Sequence, residues 1–230
     1  LADDYFGNQL RQRLLESNVR IGCSGGTTAP STLAVAQLSP DGSASYRFYL
    51  EGTSLPMLSA KEAWAGLPEA YDALHVGTLG LVVEPTASVL ETLVDHAAAD
   101  HVIMLDPNCR PAVVTDLPAF RDRILRMIDK ADLIKVSEDD VSFLFPDGGF
   151  DAVIEDAVAR GAIVLHTAGA DPIDVYAHDG TIQIVPAQGD IVDTVGAGDI
   201  FGATVLWALL EQGWGKDLRW GVDQVAPAVR

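Results

Sequence analysis

The sequence predicts an α/β protein: a doubly wound, mainly parallel sheet flanked by helices, preceded by a small β-hairpin or meander. Three observations support this. Short apolar runs at Ala73–Val76, Val102–Leu105, Leu133–Val136 and Ala162–Leu165 recur about every thirty residues, the rhythm of βαβ units. Stretches of helical periodicity separate them. Ahead of that rhythm, Leu33–Leu38 and Tyr46–Leu50 flank Ser39-Pro40-Asp41-Gly42, which reads as a hairpin or meander around a turn.

In chain order, residues 8–17 space Leu10 and Leu14 along one face of a short helix. Ser59-Ala60-Lys61-Glu62 is a capping box opening another. Pro85 opens a helix carrying Val89, Leu90, Leu93, Val94 and Ala97, and Pro118 opens one with Phe120, Ile124 and Ile128. Ser137 caps a short helix through Phe145, and residues 151–160 form a further helix ended by Gly161. Val175–Ala177 and Thr181–Val185 flank His178-Asp179-Gly180 as a second hairpin. Gly198–Gly213 is a long apolar helix, with Gly213 at its C-cap. Ligands in such sheets sit beyond the carboxyl ends of the strands, so the informative loops follow Val76, Leu105, Val136 and Leu165.

The 230 residues bound one large domain or two small ones. Apolar residues make up 48% and charged residues 21%, ordinary globular composition. Lys and Arg number 15 against 33 Asp and Glu, a formal charge of −18. That excludes a nucleic-acid backbone or a polybasic membrane patch as the main partner, since both need a basic face. A small phosphorylated ligand needs only a local site and stays open. Cys23 and Cys109 make neither a disulfide framework nor a Cys-based zinc site, and no apolar run approaches the ~20 residues that span a bilayer. The cytoplasm is the expected compartment. Leu1-Ala2-Asp3-Asp4 is neither a signal peptide nor an initiator Met.

The chemistry concentrates in Asp193-Thr194-Val195-Gly196-Ala197-Gly198-Asp199, which runs into the long helix. Small residues at a helix start let backbone N–H groups close on an anion, and the positive end of the helix adds to this. Asp199 then lies in the first turn, beside the anion. A carboxylate there is useful if it takes a proton from an incoming hydroxyl, which suits phosphoryl transfer to an alcohol. The plainer alternative is a Gly-rich turn with Asp capping the helix.

DTVGAGD resembles the C-terminal signature of the ribokinase-type (PfkB) carbohydrate kinases, and other stretches agree in order. Asp3-Asp4-Tyr5-Phe6-Gly7 resembles the family's G-x-D-x-x-G segment, with Ala2 where Gly is usual. Thr32-Leu33-Ala34, Asp41-Gly42 and Tyr46–Tyr49 resemble its β-lid, and His75-Val76-Gly77 the segment leading to the sugar site. Asp106-Pro107-Asn108-Cys109-Arg110-Pro111 resembles the D-x-N-x-R loop of fructokinase and ketodeoxygluconate kinase members. Lys135-Val136-Ser137-Glu138-Asp139-Asp140 matches the N-x-x-E region, and Thr167-Ala168-Gly169 the nucleotide-side T-x-G.

The resemblance implies one ribokinase-like kinase domain over residues 1–230, with a lid at about 21–55, and a fructokinase-like, ATP-dependent activity. Asp199 is then the base that activates the sugar hydroxyl, and Gly196, Ala197 and Gly198 form the anion hole. Thr167 and Gly169 line the nucleotide, with Lys135 and Ser137 close to it. Asn108 and Arg110 face phosphates or sugar, and Gly77 lies at the sugar site. Asp193 and Thr194 lie where many members hold a monovalent cation, K⁺ being the implied ion. Asp140 stands where the family carboxylate acts on the water shell of Mg²⁺. The resemblance also implies a homodimer paired through the lid strands, whose exposed edges want covering; a monomer with a small lid is the alternative.

Two departures stand out. N-x-x-E is here Ser137-x-x-Asp140, which lacks the Asn amide and shortens the carboxylate by a methylene; the same two residues are also what a helix start wants without a ligand. The family's first strand, with much of the sugar pocket, and its C-terminal adenine loop are not matched, so the sequence reads as a kinase core trimmed at both ends. That motivates two alternatives: a different acceptor (ketodeoxygluconate, ribose or a nucleoside), and a non-catalytic nucleotide- or sugar-binding protein on the same scaffold.

Weaker signals fail on context. Gly22-Cys23-Ser24-Gly25-Gly26 fits G-x-S-x-G but precedes Thr27-Thr28-Ala29-Pro30, a poor helix for a nucleophile elbow. Gly196-x-Gly198-x-x-x-Gly202 lies near the C-terminus, where a dinucleotide fingerprint belongs in the first βαβ unit. His75, His96, His101, His166 and His178 show no metal-ligand spacing.

Overall fold

The computed structural model describes residues 1–23, 25–38, 44–187, 189 and 195–230. The chain groups into two compact units.

The first unit comprises Leu1–Ala70, Leu79–Leu93 and Arg110–Phe120. Helix α1 (Tyr5–Glu16) starts three residues before the apolar spacing suggests, because Asp4 caps it. The Asp4 carboxylate accepts the Gly7 N–H at 2.8 Å, and the Ser31 N–H and hydroxyl at 2.7 Å each. The Gly7 and Ser31 N–H groups, with the Ser31 hydroxyl, hold its pKa down at about 2. Strands β1 (Leu33–Leu38) and β2 (Ala44–Tyr49) pair antiparallel, with Leu33 opposite Tyr49, as predicted. The turn Ser39-Pro40-Asp41-Gly42 lies outside the described residues, as does Ser24. Helix α2 (Ala60–Gly66) has the predicted capping box between Ser59 and Glu62.

The second unit comprises Tyr71–Thr78, Val94–Cys109 and Arg121–Arg230. It holds β3 (Ala73–Gly77), β4 (Val102–Asp106), β5 (Leu133–Ser137), β6 (Ile163–Thr167), β7 (Ile173–Ala177) and β8 (Gly180–Ile184) in one sheet, in that order. The first four run parallel, and the β7–β8 hairpin closes the edge antiparallel. Helices α3 (Thr86–Ala97) and α4 (Leu117–Ile128) begin in the first unit and end in the second; α5 (Glu138–Leu144), α6 (Phe150–Arg160), α7 (Ala197–Glu211) and α8 (Val222–Val229) lie wholly in the second.

Val102, Met104, Leu133, Ile163 and Leu165 pack with Val205 and Leu209 of α7 and Val225 and Val229 of α8. Their neighbours Ile103, Leu105, Ile134 and Val164 point to the opposite face and are equally buried. Burial on both faces is why these strands read as unbroken apolar runs. Three short 3-10 turns, Leu55–Met57, Thr78–Leu81 and Pro111–Val113, carry no sequence periodicity and were not anticipated. Among the described residues, no helix is long and apolar enough to cross a membrane.

The β3–β4 pair is drawn tight where Gly77 meets Asp106. A Cβ on Gly77 would lie 2.3 Å from the Asp106 carbonyl oxygen, a backbone atom with no room to give. Gly77→Ala is therefore expected to cost about 2 kcal/mol or more in denaturant unfolding. Gly215→Ala, where a Cβ meets nothing within 4 Å, is expected to stay within about 0.5 kcal/mol of the parent.

Candidate functional site

The carboxyl ends of β3 to β6 bring together most of the residues singled out in the second unit. Gly77 ends β3, Asp106 ends β4, Ser137 ends β5 and Thr167 ends β6. Gly77 pairs with Asp106, and Ser137 with Thr167. The β4–β5 register runs through Leu105 and Ile134, so the next residues, Asp106 and Lys135, fall side by side on the α7 face.

Asp106 and Lys135 form a buried ion pair. Lys135 Nζ lies 3.2 Å from Asp106 Oδ2 and 3.3 Å from Oδ1, with the lysine side chain 6% and the aspartate 4% exposed. Burial raises the Asp106 pKa to about 6, against the pull of Lys135; the charges of Asp140 and Asp199 push the same way as burial. The ammonium also abuts the start of α7, because a Cβ on Gly198 would sit 3.1 Å from Lys135 Nζ. Gly198 thus lets the helix start close over the cation.

Gly196 is the N-cap of α7 in a left-handed conformation (φ 78°) that favours glycine. The Ile200 N–H donates to the Gly196 carbonyl at 2.9 Å, opening the helical ladder. The N–H groups of Ala197, Gly198 and Asp199 precede it, so they have no acceptor within the helix. Asp199 is exposed in this first turn. Open amides, a buried ammonium beneath them and an exposed carboxylate beside them are what a transferring anion and an incoming hydroxyl require.

Asp140 has a different place from a free ligand. It is 2% exposed, and both oxygens accept protein donors. Oδ1 takes the Cys109 N–H, and Oδ2 takes the Ser137 N–H at 2.8 Å and its hydroxyl at 2.6 Å. The side chain of Ser137 returns the bond to the Asp140 N–H, completing a capping box on α5. The pair ties the loop after β4 to the end of β5. This donor set does not fit direct metal coordination. Among the described residues, no group of three His, Cys, Asp or Glu side chains is placed to hold a metal.

Asn108 and Thr78 follow β4 and β3 and both have positive φ, 41° and 56°. The Asn108 amide donates to Thr78 Oγ1 at 3.3 Å, and the Thr78 N–H to the Pro107 carbonyl at 3.2 Å. Positive φ is unusual for a β-branched residue, so backbone strain collects at this loop pair. Thr167 Oγ1 makes a long 3.4 Å bond to the Val136 carbonyl, and Gly169 follows in a left-handed turn (φ 60°). Arg110 lies at the start of a segment of the first unit. Asp193 and Thr194 lie outside the described residues.

Two residues went unassigned in the sequence reading. Asp106 appeared there only as part of a loop motif; its signal was a carboxylate closing a wholly apolar strand. His75 is the register partner of Met104 across β3 and β4. Burial of part of its ring lowers its pKa; Asp199 opposes this and Lys135 adds to it, which places the imidazole within reach of both charges.

The fold is thus a mixed sheet whose four parallel strands end beside the start of α7. Residues 1–221 match the pfkB family carbohydrate kinases. A fructokinase from Rhizobium leguminosarum bv. trifolii is 38% identical over 213 residues, covering 91% of this chain and 64% of that protein. The chain therefore spans just under two thirds of that relative's length. A crystal structure of fructokinase with bound ATP from Xylella fastidiosa superposes with a TM-score of 0.85 at 21% identity, covering 100% of this chain and 74% of that one. Fructokinase from Vibrio cholerae O395, in a form with fructose, ADP and calcium ion bound, gives 0.81 at 21% identity, with 100% and 73% covered. The chain belongs to the pfkB family of carbohydrate kinases.

The Asp106 carboxyl has a pH signature. Its folded pKa is raised, so the native state binds more protons than the unfolded chain between about pH 4 and 6, and this contribution to stability falls as pH rises through that window. The advantage of the parent over Asp106→Asn in unfolding free energy should shrink by on the order of 2–3 kcal/mol from pH 4 to pH 7. A difference independent of pH would show that Asp106 titrates normally.

Proposed function

We propose that this chain carries the phosphoryl-transfer core of an ATP-dependent, fructokinase-like sugar kinase. The observation behind the proposal is the start of α7. Amides without a helical acceptor lie over the Lys135 ammonium, and Asp199 is exposed in the same turn. In this reading Asp199 takes the proton of a sugar hydroxyl as that oxygen bonds to the γ-phosphorus. The bond from phosphorus to the β–γ bridging oxygen breaks, and its electrons leave with ADP. The Gly196–Gly198 segment and Lys135 stabilise the charge on the transferring group. Asn108, Arg110 and Gly77 serve the sugar end; Ser137, Thr167 and Gly169 serve the nucleotide end.

The same reading takes residues 1–230 as one kinase domain with a lid at about 21–55. It makes the enzyme cytoplasmic and pairs two copies through the lid strands. Mg²⁺ enters as the counter-ion of ATP, with Asp140 fixing the Ser137 end of β5 rather than ligating. K⁺ belongs with Asp193 and Thr194 on family resemblance. Support comes from the pfkB family match and the fructokinase relative.

Asp199→Asn should bind ATP within a few-fold of the parent and lose at least ~100-fold in turnover. ADP release measured with fructose, ribose, ketodeoxygluconate and adenosine checks both the chemistry and the acceptor. Near-parental turnover by the variant on the best acceptor would overturn the assignment of the base, and no ADP release by the parent on any of them would overturn the reading as a whole.

A further inference from the structure

At the opposite edge of the sheet, the amino ends of β5 and β6 border a pocket of about 250 Å³ lined by Asp132, Arg160, Gly161, Trp214, Lys216 and Arg219, with Asp217 and Leu218 at its margin. Three of the chain's 15 basic residues converge here, in a chain of −18 formal charge. We infer that this pocket is a phosphate-binding site separate from the α7 site, with Arg219 as its principal donor.

The charges divide unequally. Lys216 Nζ bonds both oxygens of Asp132 at 2.8 Å, and Asp132 also accepts the Ile103 N–H, so these two cancel within the fold. Arg160 donates to the carbonyls of Asp156 and Ile128 and stands 3.5 Å from Asp129, which commits it to the carboxyl end of α6. Arg219 is different. Its side chain lies flat over Gly161, where a Cβ would meet its Cγ at 2.9 Å and its Nε at 3.1 Å. Among the described residues its guanidinium has no hydrogen bond or ion pair. Among the described residues, the lining carboxylate of Asp217 makes no ion pair, and it is exposed. Gly161 is the left-handed C-cap of α6 (φ 101°), and it gives the arginine its seat against the backbone. A guanidinium exposed to solvent, with its stem and Nε seated against the Gly161 backbone and its donors unspent, suits a tetrahedral oxyanion.

The test is a titration of the ¹⁵N-labelled full chain with inorganic phosphate at constant ionic strength, against chloride. The Trp214 indole N–H, which donates to the Leu218 carbonyl at 3.2 Å, and the Gly161 amide report this pocket and not the α7 site. Saturable shifts of both are expected in the millimolar range, weakened at least five-fold in Arg219→Ala and in Arg219→Gln while the melting temperature holds. Saturation unchanged in both variants would overturn the assignment to Arg219. Linear drift shared with chloride would mean an adventitious ion only. Absence of any shift would remove the site.

Discussion

The buried pair of Asp106 and Lys135 is the constraint around which the site is arranged. Strands covered on both faces have no natural place for a charge, and these two stand on adjacent strands, Asp106 closing β4 and Lys135 midway along β5, almost fully buried. Moving one ion out of water is costly unless it is paired, and breaking a buried pair costs more than the pair contributes. Lys135 is thereby held where a lysine would otherwise turn to solvent. Its Nζ touches the space left by Gly198, so one cation serves both the β4 carboxylate and the start of α7.

The surrounding residues fix that geometry. Gly77 brings β3 against the carbonyl of Asp106, and the Asn108–Thr78 contact joins the loops after these strands while both residues stay at positive φ. Asp140, Ser137 and the Cys109 N–H lock the other side. The loops at this edge are tied by side-chain to backbone bonds, which is the preorganisation an electrostatic site needs. The shortened Ser137-x-x-Asp140 motif thus has a structural occupation that its sequence also advertised, as a helix start.

Much of the fold was legible because each signal was local. Continuous apolar runs located β3 to β6 to within about two residues, the usual scatter of boundaries, and β4 to β6 are buried on both faces over most of their length. Ser59, Ser137 and Gly161 marked helix ends through bonds within three or four residues. The start of α1 was not legible, because Asp4 is fixed partly by Ser31, 27 residues away. The Asp106–Lys135 pair was hidden for the same reason: both charges were visible in apolar strands, but only the parallel register sets them side by side. In the candidate site, the glycines and Asp199 were readable from DTVGAGD, whereas the engagement of both Asp140 oxygens depends on Cys109, 31 residues distant.

In the proposed function the Lys135 ammonium, held by Asp106, completes the anion hole. Lys135→Met combined with Asp106→Asn tests this role, because it removes both charges together and leaves no unpaired ion in the core. The expected result is a folded protein whose kcat/KM for ATP is lower by about 100-fold, the scale of losing one oxyanion donor. A folded double variant with kcat/KM close to the parent's would contradict it.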